Sequence, residues 1–464
     1  MSTAQQIVVT YGVIIITYGF LFGVSPAAAR SKSPHTSRHL ATTHLSATMQ
    51  GPVCLGLALA AIFALAGCAS TAGTASTAVS FEPSASTVAS TSTTRPAATS
   101  TTRPATPSTT QPDASFPTAL FAAIGEDPVS EDLAEELLAI LNDKADGSGV
   151  AATVMSADGT WSGATGKADG VRDVEVDSQF AIASITKSVI AAQVMQMVEA
   201  GELGLDDSAA DHLPSDLDFD SNGATIRQLL GMRSGIPDYF DAISDSVATD
   251  RQRRWTPTDV LALVAADRSP AGDFFEYSST NYVLLGLIIE QVRGRAVADV
   301  LRDGVLGVEG VERLIYQPDE VPTDPMAMPD GESSTALEES GGYLPSLAGA
   351  TAAGPAGGMS SDSPTLARWW RAFCAGEIVS VASLTEMAMF DDGYGLGLYE
   401  IADLGLHEIA DPYGSGVGHA GQHIGFASWA ACLPADGLVV VVLSNGVVDV
   451  SAIALALVDA ASST

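Results

Sequence analysis

Apolar residues at helical spacing mark the first element of the folded part of the chain. Leu133, Leu137, Ile140 and Leu141 would share one face of a helix. Ser130 precedes them, at the place where a serine side chain caps a helix N-terminus. The pattern therefore predicts an amphipathic helix that begins near residue 130.

Runs of apolar and β-branched residues predict two hairpins and a closing helix. Within each hairpin, a short segment rich in Gly, Asp, Ser or Pro separates the two runs, as in a turn. The last helix follows the second hairpin directly. The hairpins are 149–155 with 161–166 and 425–432 with 438–443, and the helix is 451–461.

A further helix is predicted over residues 188–199. Its apolar residues recur along one face, and Gly201 follows its last turn as glycine commonly does at a helix end. We expect this face to be the buried one. It consists of Val189, Ile190, Val194, Met195 and Val198.

The N-terminal region, residues 1–68, has the pattern of an export signal. Residues 7–24 form an apolar run just long enough to be weighed as a membrane span. A second run, residues 53–66, has the length of a signal-peptide core, and Met49 is an alternative start to Met1. Leu65-Ala66-Gly67-Cys68 resembles the lipobox of bacterial lipoproteins, which implies a lipid anchor on Cys68; the alternative is a small-residue cleavage site with an incidental cysteine.

Residues 69–118 are dominated by Ser, Thr, Ala and Pro. The sequence Thr-Thr-Arg-Pro-Ala occurs at 93–97 and again at 101–105. A segment with so little to bury cannot offset its conformational entropy, so we expect a disordered tether. The organisation predicted is a signal region, this tether and one domain over residues 119–464, exported and held at the membrane.

The charge balance excludes one class of partner. Residues 1–68 carry three basic residues and no acidic one, so the remainder has 18 basic against 55 acidic residues, a net charge of −37. Such a surface repels phosphate backbones, and we expect no nucleic-acid binding. The acidic run 218–223 has the first ligands of a calcium loop, but Leu229 stands where a bidentate Glu is needed. No metal or other cofactor is predicted.

Ser184 and Lys187 form the strongest candidate for chemistry. A spacing of three residues places both side chains on one face of a helix, about one turn apart. Near a helix N-terminus, the serine would lie beside unpaired backbone N–H groups that stabilise a developing anion. After residue 68 the chain holds only Lys144, Lys167 and Lys187, so a chance match is less frequent than in an average sequence. The pair predicts a nucleophile with a base beside it.

Several motifs in a fixed order resemble one family of serine hydrolases. That family comprises class C β-lactamases, D-alanyl-D-alanine carboxypeptidases and related esterases. The resemblance extends from about Ser130 to the C-terminus. Its motifs are Phe180 to Lys187, Leu203-Gly204-Leu205-Asp206-Asp207, Thr225-Ile226-Arg227-Gln228-Leu229-Leu230, Ser234-Gly235-Ile236, Phe275 to Tyr282 with Leu284-Leu285-Gly286, Ala356 to Ser361, and Gly418-His419-Ala420-Gly421.

The resemblance implies an α/β fold. Its antiparallel sheet would be flanked by the terminal helices, with an all-helical lobe inserted between the two hairpins. It also implies Ser184 as the nucleophile that forms an acyl-enzyme, with Lys187 or Tyr277 as the base. His419 would steer protons or polarise Tyr277. Which of Lys187 and Tyr277 is the base stays open.

The same resemblance implies the groups that bind substrate. The N–H groups of Ser184 and Gln422 would form an oxyanion hole, and Gly421 would let backbone approach backbone. Ser279 and Asn281, which follow Tyr277, would contact the substrate. His423 is interpreted as structural.

Departures from the family pattern bear on the substrate. The family commonly has Tyr-x-Asn, whereas Ser279 replaces the amide here. Ala420 and Gln422 stand where members that bind a carboxylate often have hydroxyls, and no Lys or Arg follows Arg371. A substrate carboxylate would therefore find few cationic or hydroxyl partners beside the Gly418 to Gly421 motif. We therefore expect an esterase, amidase or peptidase acting on a small molecule or peptide.

Three points stay open on the sequence alone. A D,D-carboxypeptidase or class C-type β-lactamase is the first alternative, and an envelope binding protein with little turnover is the second. Cys374 and Cys432 are the two cysteines left in the folded domain, and spacing does not decide whether they are bonded. The oligomeric state is equally open.

Overall fold

The computed structural model describes residues 115–331, 334–401 and 416–463. The predicted signal region, Cys68 and nearly all of the predicted tether lie outside these residues. Within them, none of the helices combines the length and the apolar character needed to cross a bilayer.

A sheet of six described strands forms the frame. Its spatial order is β2-β1-β9-β8-β7-β6, with antiparallel neighbours throughout. The strands β3, β4 and β5 form a small second sheet in the order β3-β5-β4. The bounds are β1 Val150–Ser156, β2 Gly159–Thr165, β3 Phe180–Ala181, β4 Ile315–Tyr316, β5 Met359–Ser361, β6 Tyr399–Glu400, β7 Val417–His423, β8 Phe426–Leu433 and β9 Leu438–Ser444.

The long helices near the two ends of the described chain pack on the large sheet, and the short first helix packs on the helix Ser363–Cys374. The others lie between the second and the sixth strands along the chain. The described helices are α1 Thr118–Ala122, α2 Glu131–Lys144, α3 Thr186–Glu199, α4 Ala209–His212, α5 Ile226–Leu230, α6 Phe240–Thr249, α7 Pro257–Leu261, α8 Thr280–Arg293, α9 Val297–Asp303, α10 Ser334–Glu339, α11 Leu347–Ala353, α12 Ser363–Cys374, α13 Val381–Met387 and α14 Val450–Ser462. Short 3-10 turns span Ala183–Ile185, Pro329–Gly331 and Gly354–Ala356.

Local chemistry explains where several helices begin. Ser130 caps α2 as predicted, its hydroxyl accepting a hydrogen bond from the N–H of Leu133 at 3.3 Å. Thr225 and Gln228 form a reciprocal capping box at the start of α5. Asp362 accepts from the N–H of Thr365 at 2.8 Å and so begins α12.

The central strands are buried on both faces. On one face, alternate residues of β1, β8 and β9 pack against α2 and α14. On the other face, the alternate set packs against α12 and the helical lobe. The fold class is confirmed, with one refinement: the long helices near the two ends, α2 and α14, lie on the same face of the sheet. The continuous apolar run of β9 follows from this double burial.

Two predictions change, one about where the folded domain begins and one about which residues of α3 are buried. Phe116 is buried, and its N–H donates to Thr385 Oγ1 at 3.1 Å, so the folded domain begins a few residues before the predicted end of the tether at Thr118. The predicted apolar stripe of α3 is also too narrow. Nearly all of this helix is buried, including Gln193 and Met197, whereas Val198 is only partly buried.

Cys374 and Cys432 form a disulfide that joins the end of α12 to β8. The sequence left this bond open because the two cysteines are 58 residues apart. The helix crosses the sheet face at that point, which brings their Cα atoms to 6.7 Å.

Candidate active site

Ser184 lies in a 3-10 turn that leads directly into α3, so it is near the helix N-terminus but in a 3-10 rather than an α-helical turn. The backbone just before it is fixed by two bonds from Ile182 to other elements. The N–H of Ile182 donates to Met359 O at 3.0 Å, and Ser428 Oγ donates to Ile182 O at 2.8 Å. Ala183 has a φ of 48°, a left-handed conformation that costs a non-glycine residue roughly 1–2 kcal/mol. The chain therefore turns sharply and presents Ser184 to the space in front of the sheet.

Lys187 is completely buried one turn beyond the serine. Its Nζ lies 3.1 Å from Ser184 Oγ and donates to the carbonyl oxygen of Ala356 at 2.6 Å. Burial lowers the pKa of Lys187 to about 7, although the nearby Asp238 carboxylate acts in the opposite direction. A buried amine is favoured in its neutral form because desolvation penalises the charge. Near neutral pH the lysine is therefore able to accept a proton.

Aromatic rings surround the lysine. Its Nζ lies 5.0 Å from the ring centroid of Tyr277 and 5.7 Å from that of Tyr282. Tyr399 stacks on Tyr277 with the centroids 6.2 Å apart, and Tyr394 meets Tyr277 edge to face. The structure thus brings Tyr277 beside Ser184 and Lys187, as the motif predicted, within a cluster that limits water around the amine.

His419 is also buried, but its hydrogen bonds go elsewhere than the sequence suggested. Nδ1 donates to Ala420 O at 2.6 Å, and Nε2 accepts from Tyr394 Oη at 3.3 Å. Burial, and secondarily the charge of Lys187, lower the pKa of His419 to about 3, so the ring is neutral near pH 7. Its ring centroid is 6.5 Å from that of Tyr277. Its described side-chain partner is therefore Tyr394.

Gly421 lies where β7 packs against the turn that holds Ser184. A Cβ atom at this position would come within 2.5 Å of Ile182 O and of Ser428 Oγ, and within 2.9 Å of Ser184 N. Real Cβ atoms do not approach that closely, so glycine is required for the two backbones to meet. Gln422, the next residue, is exposed and borders the same space.

A cavity of about 360 Å³ opens in front of Ser184. Its volume falls within the range of small-molecule sites. Among the described residues, no group of three or more His, Cys, Asp or Glu side chains is placed to hold a metal ion. The lining consists of Ala183, Ser184, Asp238, Tyr239, Phe240, Asp241, Tyr277, Ser279, Ala353, Ala356, Gly357, Gln422 and His423.

Ser279 and Asn281 are separated by the geometry of α8. Ser279 lines the cavity at the start of this helix, and its N–H donates to Asp238 Oδ2 at 3.0 Å. Asn281 is two residues further on, and positions i and i+2 of a helix do not face the same way. Its side chain is buried and accepts from Ser234 Oγ at 2.5 Å. The prediction that Asn281 contacts substrate does not fit this placement.

Four side chains at or beside the site were not assigned a catalytic or binding role from the sequence. Asp238 and Asp241 line the cavity, and Asp238 directly follows Pro237 in the loop after the Ser234-Gly235-Ile236 motif. His423, interpreted as structural, lines the cavity as well. Tyr394 holds His419. No spacing rule connects these residues, because long-range packing brings them together.

Solved structures with the same fold include two hydrolase-related proteins. A penicillin-binding protein from Bacillus halodurans is 25% identical, with a TM-score of 0.57 over 68% of this chain and 96% of that one. A D-amino acid amidase from Ochrobactrum anthropi SV3, complexed with D-phenylalanine, is 24% identical, with a TM-score of 0.58 over 71% of this chain and 99% of that one. The second likeness supports the fold alone.

Sequence relatives lead to the family. Penicillin-binding protein 4 of Amycolatopsis lactamdurans is 30% identical over 299 residues, which are 59% of this chain and 74% of that protein. The family model described as Beta-lactamase matches residues 132–462, which include Ser184, Lys187, Tyr277 and His419. With this match, and with a serine and a buried lysine in contact at the cavity, the chain belongs to the β-lactamase family of serine hydrolases.

Proposed function

We propose that this protein is an exported hydrolase that cleaves an amide or ester bond of a small molecule or peptide through an acyl-enzyme on Ser184. The observation that carries the proposal is the 3.1 Å contact between Ser184 Oγ and the Nζ of Lys187. The pKa of about 7 for this lysine makes it a base at neutral pH. Hydrolysis of amides and esters by this family supports the bond type.

The first half of the reaction forms the acyl-enzyme. Lys187 Nζ takes the hydroxyl proton of Ser184, and Oγ attacks the carbonyl carbon of the substrate. The carbonyl oxygen becomes an oxyanion, for which the N–H groups of Ser184 and Gln422 are the proposed donors. The scissile bond breaks, and the leaving nitrogen or oxygen receives the proton that Lys187 took from Ser184.

The second half releases the product. A water molecule attacks the carbonyl carbon of the acyl-enzyme ester, and neutral Lys187 takes one of its protons. The bond between that carbon and Ser184 Oγ then breaks, Oγ takes the proton back from Lys187, and the carboxylic acid departs. Tyr277 is the proposed carrier of protons between Lys187 and the leaving group, because its ring lies 5.0 Å from Nζ. Neutral His419 would fix the surrounding rings through Tyr394.

Export and lipid anchoring at Cys68 are also part of the proposal. The lipobox-like sequence and the Ser/Thr/Pro-rich segment 69–118 support it. The disulfide between Cys374 and Cys432 adds support, because such bonds persist in oxidising compartments and are rare in the cytosol. Globomycin treatment and labelled palmitate, with Cys68→Ala as the control, test the anchor.

A second candidate function is that of a penicillin-binding D,D-carboxypeptidase. The observation favouring it is the 30% identity to penicillin-binding protein 4. This reaction would use the same Ser184 but a substrate with a terminal carboxylate. A class C-type β-lactamase and a binding protein with slow turnover would use the same serine.

One assay separates these activities. Wild type and Ser184→Ala are compared on p-nitrophenyl acetate, nitrocefin and a D-Ala-D-Ala peptide, and intact-protein mass spectrometry follows the acyl adduct. We expect ester hydrolysis and a transient adduct in wild type only. Equal rates in Ser184→Ala would disprove the mechanism. Release of D-alanine from the peptide would favour the second candidate, whereas rapid nitrocefin turnover would favour a class C-type β-lactamase.

A further inference from the structure

Part of the wall of the cavity in front of Ser184 carries hydrogen-bond acceptors. Two carboxylates, Asp238 and Asp241, line it, and none of its described lining residues is a lysine or arginine. A family member that binds a substrate carboxylate needs cationic or hydroxyl partners for it. The carboxylates of Asp238 and Asp241 instead give this wall a negative charge, which suits a cationic group of the substrate.

Asp238 holds its carboxylate in a fixed orientation. Oδ1 accepts from the N–H of Phe240 at 2.9 Å, and Oδ2 accepts from the N–H of Ser279 at 3.0 Å. Each carboxylate oxygen accepts more than one hydrogen bond, so acceptor capacity remains on both. Because the two backbone donors lie at the starts of two different helices, α6 and α8, main-chain groups hold the carboxylate in place at the cavity.

His423 supplies an independent indication of a ligand. The side chain is 4% exposed and lines the cavity. Its Nε2 lies 3.2 Å from the carbonyl oxygen of Gly349, which only accepts, so Nε2 carries the hydrogen. Nδ1 therefore carries a lone pair, and it is buried with no hydrogen-bond partner in the described part of the chain. A buried acceptor without a partner is costly, which is a reason to expect a donor from the ligand.

The ring of His423 is neutral under ordinary conditions. Burial lowers its pKa to about 4, with a smaller contribution in the same direction from Lys187. Near pH 7 it is thus an acceptor at Nδ1 and adds no positive charge to the wall. Phe240 packs edge to face against it with the ring centroids 5.7 Å apart and adds an aromatic surface to the lining.

We infer that Asp238, Asp241 and Nδ1 of His423 form a subsite for a protonated amine on the acyl side of the scissile bond. An ammonium group has three donors and no acceptor, which matches the three acceptors of this wall. The inference rests on the proposed function, since the subsite faces Ser184. The substrate class is an amide or ester of an amino acid, or a peptide, with a free amino group.

The subsite would favour substrates with a free amine over those with a carboxylate or an N-acyl group, as well as bind the amine. A carboxylate or N-acyl group in this position would be repelled by Asp238 and Asp241 or would leave their oxygens without donors. Discrimination of this kind, built on unpaired polar groups, is stronger than discrimination by shape. We expect kcat/KM for a substrate with a free amine to exceed that for its N-acetyl form by on the order of ten-fold.

The experiment compares three chromogenic substrates that differ only at the amine. D-Alanine p-nitroanilide carries an ammonium, N-acetyl-D-alanine p-nitroanilide is neutral, and N-succinyl-D-alanine p-nitroanilide is anionic. The variant is Asp241→Lys, because this side chain is exposed at the cavity rim and its replacement leaves the core intact. The matched control is Asp245→Lys, one turn further along α6 and also exposed.

Wild type should rank the ammonium substrate first and the succinyl substrate last. Asp241→Lys should lose that preference and raise the relative rate on the succinyl substrate, whereas Asp245→Lys should keep the wild-type order. A wild type that hydrolyses all three equally would overturn the subsite. The same change of order in both lysine variants would overturn it too, since it would indicate only the overall charge.

Binding measured without turnover separates the subsite from the chemistry. Calorimetric titration of Ser184→Ala with D-alanine amide and with N-acetyl-D-alanine amide should show tighter binding of the free amine by on the order of ten-fold. Adding His423→Phe to that protein should reduce the difference, with thermal melting as the check of folding. If wild type and Ser184→Ala turn over substrates alike, the proposed mechanism fails while this titration still decides the subsite. Equal affinities for the two amides overturn the subsite even if Ser184 is acylated.

Discussion

Lys187 and Ser184 are joined by a 3.1 Å contact between Nζ and Oγ, and the same Nζ donates to the Ala356 carbonyl at 2.6 Å. The bond to Ala356 uses one N–H of the amine, and this fixes the directions of the other hydrogen atoms and of the lone pair on the nitrogen. The carbonyl of Ala356 therefore orients the base towards the serine hydroxyl.

The first prediction concerns the pH dependence of acylation. Lys187 is active as a base when neutral, and its pKa is about 7, so kcat/KM should rise as the pH rises through about 7 and then level off. Asp238 raises this pKa, so Asp238→Asn should move the midpoint to lower pH. Initial rates on p-nitrophenyl acetate between pH 5 and 9 measure the pH midpoints of wild type and of Asp238→Asn.

A lysine far from the cavity provides the control for this profile. Lys187→Met should lower kcat by roughly 10²–10⁴-fold. Lys144→Met removes an exposed lysine at the end of α2 and should change neither the rate nor the midpoint. A rate in Lys187→Met close to that of wild type would contradict the role of the amine.

The second prediction concerns Gly421. Gly421→Ala places a Cβ within 2.9 Å of Ser184 N and 2.5 Å of Ile182 O, so β7 and the serine turn must move apart. The N–H groups of Ser184 and Gln422 would then no longer converge, and losing one such donor costs about 10²–10³ in kcat. Gly125→Ala is the control, because a Cβ there meets nothing within 4 Å. Single-turnover rates and circular dichroism of both variants would separate lost catalysis from lost folding.

The third prediction concerns Tyr394. In Tyr394→Phe, the Nε2 lone pair of His419 loses its donor in a buried site, a change worth about 1–3 kcal/mol. The imidazole would reorient, and we expect kcat to fall about ten-fold with little change in KM, since 1.4 kcal/mol corresponds to that factor. ¹⁵N NMR of labelled histidine should show Nε2 unprotonated in wild type and altered in the variant. Tyr343→Phe, which removes a half-buried hydroxyl bonded to Pro318 O, should leave kcat and the His419 signals unchanged.

Local sequence was sufficient wherever the interacting residues are neighbours along the chain. The contact between Ser184 and Lys187 follows from a spacing of three residues, and the strand Leu438–Ser444 follows from an uninterrupted apolar run. Such features depend on backbone geometry alone. They were predicted correctly, apart from the 3-10 form of the turn that holds Ser184.

Residues that meet across long distances in the chain needed the family resemblance or were missed. Tyr277 and His419 come from a helix start and a strand, and only the order of motifs placed them beside Lys187. Asp238 was missed because its contact with Ser279 spans 41 residues. Asn281 was misplaced because a motif gives residue identities without the rotation of the helix that carries them.

The last prediction concerns the disulfide between Cys374 and Cys432. It closes a loop over a sequence separation of 58 residues, so breaking it frees the unfolded chain and should lower the free energy of unfolding by about 2–4 kcal/mol. Urea unfolding of the double variant Cys374→Ala/Cys432→Ala, compared with wild type, measures this loss. Esterase activity at 25 °C should be retained, because neither cysteine lines the cavity. A reducing agent should destabilise wild type and leave the double variant unchanged. Equal unfolding midpoints for wild type with and without the reductant would show that the bond does not constrain the fold.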